Sequence, residues 1–93
     1  MLNKKQIKRL EDKLDRRSYH IELAYHAIER LEDNHLFGVP EEETKMAIKR
    51  NLDRIREYAI EMKTIKEVLS TLGYKAEPNT DETGIDHYSI ERI

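Results

Sequence analysis

The chain contains no cysteine and no tryptophan. Without thiols it can form no disulfide and no thiolate metal site, and it holds no cysteine nucleophile. That usage suits a reducing compartment. Gly and Pro are scarce, three and two in 93 residues. Each reads as punctuation, and none belongs to a Gly-rich phosphate loop. No serine sits in a nucleophile-elbow context. No apolar run approaches the ~20 residues that span a bilayer. Met1-Leu2-Asn3-Lys4-Lys5 is not followed by an apolar stretch, so the expectation is a cytoplasmic chain without a secretory leader. These gaps argue against an enzyme and imply no cofactor.

What is present is charge and helical pattern. Charged residues make up 39% of the chain and hydrophobic residues 38%, a mixture that suits amphipathic helices with solvated outer faces. The first 36 residues lack Gly and Pro, and so do the 32 from Glu41 to Leu72. Between them lies Phe37-Gly38-Val39-Pro40. Gly tolerates the left-handed conformation past a helix end, and Pro suits the first position of the next helix. The pattern predicts an all-α antiparallel hairpin over residues 1–76, with helices at about 4–36 and 40–72.

The helix ends are legible. Asn3 with Gln6 has capping-box spacing, and Leu2 with Ile7 has the spacing of a hydrophobic staple. Gly73 follows Leu72 as a left-handed cap, which lets Tyr74 fold back on Leu69. Helix 1 carries Ile7, Leu10, Leu14, Ile21, Ala24, Ile28 and Leu31 at coiled-coil spacing, with Arg17 interrupting the seam. Helix 2 carries a broader stripe, wider than one partner helix covers. That width predicts a homodimer, a four-helix bundle joined through Ile48, Leu52, Ile55, Ala59, Met62, Ile65 and Leu69. The competing arrangement is a monomer whose C-terminal tail covers the open groove. Residues 77–84 are polar and turn-rich, so 77–93 reads as a flexible linker and a short irregular tail, in which 85–93 is open to a short strand or a single helical turn.

Function is written less clearly. Glu32-Asp33-Asn34-His35 has the Glu-x-x-His spacing of di-iron bundles, but it sits at a helix end among acids, where a solvated surface is the simpler account. His20 and His26 point to different sides of helix 1 and converge on no ion. Residues 1–17 carry +4, 18–43 −6, 44–66 +4 and 67–93 −4, which return the net −2. The expected function is a small non-enzymatic protein-interaction module: an adaptor, regulator or inhibitor of the kind suited to a bacterial or phage accessory role. Its partner would meet Tyr19, Leu23 and the tail residues Ile85, Tyr88, Ile90 and Ile93. The alternative is a nucleic-acid-associated regulator binding through Lys5, Lys8, Arg9, Lys13 and Arg16. Interleaved Glu11, Asp12 and Asp15 weigh against that alternative on sequence alone.

Overall fold

The computed structural model describes residues 1–35 and 41–93, without the side chains of 34 and 35. The Phe37–Pro40 turn therefore lies outside the described residues, as does the side chain of His35 in the Glu-x-x-His motif. Two long helices, α1 (Lys4–His35) and α2 (Glu41–Thr71), are followed by two strands, β1 (Tyr74–Thr80) and β2 (Asp86–Arg92). At 1.5 Å per residue each helix is about 47 Å long, which sets the 55 Å long axis of the molecule. The helices run antiparallel: Lys13 meets Glu61, and His20 stacks near Tyr58 with ring centroids 5.4 Å apart.

The ends form as their residues dictate. Asn3 Oδ1 accepts the Gln6 N–H at 2.8 Å, and Gln6 Oε1 accepts the Asn3 N–H at 3.0 Å. This reciprocal pair satisfies two of the free donors at the start of α1. Leu2 and Ile7 both pack against the core beside it. At the other end of the chain, Gly73 takes φ +85° and stops α2. Tyr74 then turns inward to 3% exposure in the same cluster as Leu69.

The tail corrects the expectation of a flexible linker and an irregular segment. Residues 74–92 form an antiparallel β-hairpin in which Tyr74 faces Arg92, Ala76 faces Ile90 and Pro78 faces Tyr88. Its turn is built by Asp81, whose Oδ1 accepts the Thr83 N–H at 2.8 Å, the Thr83 hydroxyl at 2.6 Å and the Ile85 N–H at 3.0 Å. Gly84 supplies the positive φ the turn requires, +84°. Ile85 belongs to that turn and Ile93 lies past the strand. Only Tyr88 and Ile90 alternate inward, with His87, Ser89 and Glu91 on the other side.

The hairpin lies on one face of the helix pair and covers only the half away from the inter-helix turn, with β2 over α1 and β1 over α2. The buried cluster is accordingly one-ended: Leu14, Met62, Leu69, Tyr74, Tyr88 and Ile90. Two strands alone would leave both edges open to pairing, and each edge is closed differently. Two outward N–H groups of β2 are taken by α1 carboxylates: Tyr88 donates to Asp15 Oδ1 at 2.6 Å and Ile90 to Glu11 Oε2 at 2.9 Å. The outer edge of β1 is interrupted by Pro78, which has no N–H to offer.

Candidate interaction surfaces

Among the described residues, three surfaces stand out. The first is the helix-pair face beyond the hairpin. On α2, Ile48, Leu52, Ile55 and Ala59 recur at steps of three and four, so they form one stripe. On α1, Ile21, Tyr25 and Ile28 line the facing side. Leu52 is 46% exposed and Tyr25 49%, while Ile48, Ile55, Ile21 and Ile28 are half-buried. At the hairpin end this groove opens into a depression of about 410 Å³, where Ile21 and Ala59 meet Tyr88, Asp86, Lys63 and Lys66. At the turn end a second depression of about 250 Å³ is lined by Glu32, Glu41, Thr44, Lys45 and Ile48.

The expected interface residues are thus divided. Met62 and Leu69 are inside the chain's own core, and Ile65 packs against it. Ile48, Leu52, Ile55 and Ala59 remain at the surface in whole or in part. The expected partner residues divide as well. Tyr88 and Ile90 are core, Ile85 is half-buried in the hairpin turn, and Tyr19, Leu23 and Ile93 are exposed. Tyr19 and Leu23 share no patch with Ile93.

The second surface is the polar seam between α1 and β2. His87 places Nε2 2.8 Å from Asp81 Oδ2 and Nδ1 3.6 Å from Asp15 Oδ2. Asp81, and Asp15 after it, hold the imidazole above its usual range by favouring the charged ring. Asp81 itself lies well below the usual carboxylate range, first through the Thr83 hydroxyl, then through His87 and the Ile85 N–H. Lys66 Nζ sits 4.8 Å from the Tyr88 ring centroid and 3.4 Å from its hydroxyl, closing the seam from the α2 side. Sequence reasoning missed this seam because its members lie 6 to 79 positions apart.

The third surface is the opposite flank. Glu61 pairs with Lys13 at 3.1 Å and with Arg17 at 2.8 Å. Lys13, with Arg17 beside it, keeps the Glu61 carboxyl below the usual range. Arg17 also lies over the Tyr58 ring at 5.1 Å and reaches His20 Nδ1 at 3.3 Å. The seam-interrupting Arg17 therefore escapes the core sideways, on its apolar stem. Lys8 pairs with Asp12 at 3.1 Å, whereas Lys5, Arg9 and Arg16 are exposed.

Among the described residues no group of three or more His, Asp and Glu could hold a metal ion. No helix among them is long and apolar enough to cross a membrane. The architecture is that of a mostly helical two-helix hairpin closed at one end by a β-hairpin. No family model, curated protein or solved structure matches this chain.

Proposed function

We propose that the chain is a small, non-catalytic, cytoplasmic interaction module that works as a homodimer and serves as an adaptor, regulator or inhibitor of another protein. The observation that supports this reading is the groove of Ile48, Leu52, Ile55 and Ala59 against Ile21, Tyr25 and Ile28, which the chain's own hairpin stops short of covering. A contiguous apolar face on a rod this thin is the usual mark of a partner surface. The tail is an unsuitable handle for strand addition, because β2 is edged by carboxylates and β1 by Pro78.

The hairpin constrains how a second copy would pack. It stands on the same face as the groove, so two full-length faces would clash. A staggered antiparallel pair avoids this: bare half lies on bare half, and each hairpin abuts the other copy's turn end. A two-fold axis near Ile28 and Leu52 makes this contact self-complementary. Glu32 and Glu41 of one copy then approach Lys63 and Lys66 of the other.

The test is the molar mass of the full chain by sedimentation equilibrium. The expected result is a dimer that Leu52→Asp together with Ile55→Asp converts to a helical monomer, while Tyr19→Asp has no effect. A monomeric wild-type chain at 100-fold the concentration of an ordinary assay would sink the dimer. Because the chain has no cysteine, Leu52→Cys can report the axis: rapid disulfide trapping supports the stagger, and trapping at Tyr19→Cys instead removes it.

A further inference from the structure

In the sequence, acids and bases alternate along the first half of α1, which dilutes any basic patch. The fold separates them around the helix. At 3.6 residues per turn, Lys5, Arg9, Lys13 and Arg16 fall within about 80° of one another, and Glu11, Asp15, Glu22 and Glu29 form a second row roughly 140° away. β2 rests on the acidic row, through Asp15 to the Tyr88 N–H and Glu11 to the Ile90 N–H. Two of the three acids that interrupt the basic run in sequence are therefore turned to the far side and committed to backbone donors. The third, Asp12, is held by Lys8.

On the basic flank the accounting is simple. Lys5, Lys8, Arg9, Lys13, Arg16 and Arg17 are six cations, and Asp12 and Glu61 are two carboxylates, leaving +4. Among the described residues, Lys5, Arg9 and Arg16 have no carboxylate at ion-pair distance, and all three are exposed. Lys13 is 49% exposed beside Glu61. The four form a straight, rigid row about 17 Å long at 1.5 Å per residue. A row of that kind matches an anion whose charges are themselves evenly spaced on a stiff strand. Each strand of duplex DNA offers one phosphate per ~3.4 Å of axis, so the row lies along about five of them on one strand.

We propose that Lys5, Arg9, Lys13 and Arg16 form a docking row for the phosphate backbone of nucleic acid, bound without regard to base sequence. The row faces away from the hairpin and from the groove, so it is independent of self-association. It carries no side chain placed to read base edges in addition to the cations, and its contacts position rather than specify.

The test is fluorescence anisotropy of the full chain with labelled 20-mers of random sequence, as duplex DNA, single-stranded DNA and duplex RNA, with poly-glutamate as the non-nucleic polyanion. Four phosphate contacts predict a logarithmic salt slope of about −3.6 for duplex DNA, and so a roughly 100-fold loss of affinity from 50 to 200 mM salt. Arg9→Glu with Arg16→Glu should abolish binding at 200 mM salt. The milder Arg9→Gln with Arg16→Gln should reduce the slope by about two. Lys45→Glu with Lys63→Glu, on the groove side, should leave binding close to wild type once the change in net charge is matched by salt. Helix content by circular dichroism confirms that each variant is folded. Binding of any of the three nucleic acids with these effects supports the row, and the tightest of them identifies the source of the phosphates. Three results would overturn it: no binding at 50 mM salt, equal losses in the two charge-reversed pairs, or poly-glutamate bound as tightly as DNA.

Discussion

The two halves of the helix pair are built from the same kind of residue and end in different states. At the hairpin end, Leu14 and Leu69 are 0% and 1% exposed. At the turn end, Leu52 and Tyr25 stay near half-exposed, although they belong to the apolar stripes of the same two helices. The difference is the third layer. Two helices touch along one line, and each has an apolar face wider than that line. Away from that line, the stripe is fully buried only where a further element lies across both. Helical periodicity thus says which residues want cover and not whether they receive it.

Removing the cover is the severest way to break this contrast. A chain ending at Glu77 loses Tyr88 and Ile90 and exposes Leu14, Leu69 and Tyr74. With those residues in the core, the truncated chain is expected to lose cooperative thermal unfolding, as followed by circular dichroism. Retention of the wild-type melting curve would mean that the helix pair is stable without its third layer. A finer comparison uses one residue type in both halves. Leu69→Ala should cost about 2–5 kcal/mol in urea denaturation. Leu52→Ala, measured at a concentration too low for self-association, should stay within about 1 kcal/mol. Equal losses would erase the distinction between the halves.

The smallest expected effect is on the hairpin seam, through pH. The folded pKa of His87 is raised, so its contribution is complete below the unfolded value of about 6.5 and is lost as pH rises through the folded one. The folded pKa of Asp81 is lowered, so its contribution is present above about 3.9 and fades as pH falls toward the folded value. The seam should therefore be tightest between about pH 4 and 6.5. The melting temperature should be slightly higher at pH 5.5 than at pH 8, and His87→Gln should remove that difference. Exposure of both groups keeps the shift small.

Much of the helical part was legible in the sequence, because its signals are local. Asn3 and Gln6 lie three apart, and Gly73 immediately follows its helix. The β-hairpin was hidden for three physical reasons. β2 has only two inward apolar residues, too few to establish a period of two against Ile85 and Ile93 on either side. Pro78 and the Asp81–Gly84 stretch read as a linker, although Pro suits an unpaired edge and Asp with Gly suits a turn. The donors of β2 find acceptors on α1, 73 and 79 positions earlier, where no local pattern can see them. The charge rows were missed differently. Summing charge by segment discards rotational phase, and phase is what places Glu11 and Asp15 on one side and Arg9 and Arg16 on the other.

The long-range contacts between the start of the chain and its β-hairpin also bear on the order of folding. Leu2 donates its N–H to the Tyr74 hydroxyl across 72 positions, and the Asp15 and Glu11 bonds span more. During synthesis, at roughly 5–20 residues per second, α1 is complete long before its covering strand exists. At that rate β2 is made several seconds after α1. Local helix contacts form quickly and long-range strand docking slowly, so the contacts of β2 with residues 11–15 are expected to form after the helix pair. The burial of Leu14 in α1 therefore depends on a strand made more than 70 residues later.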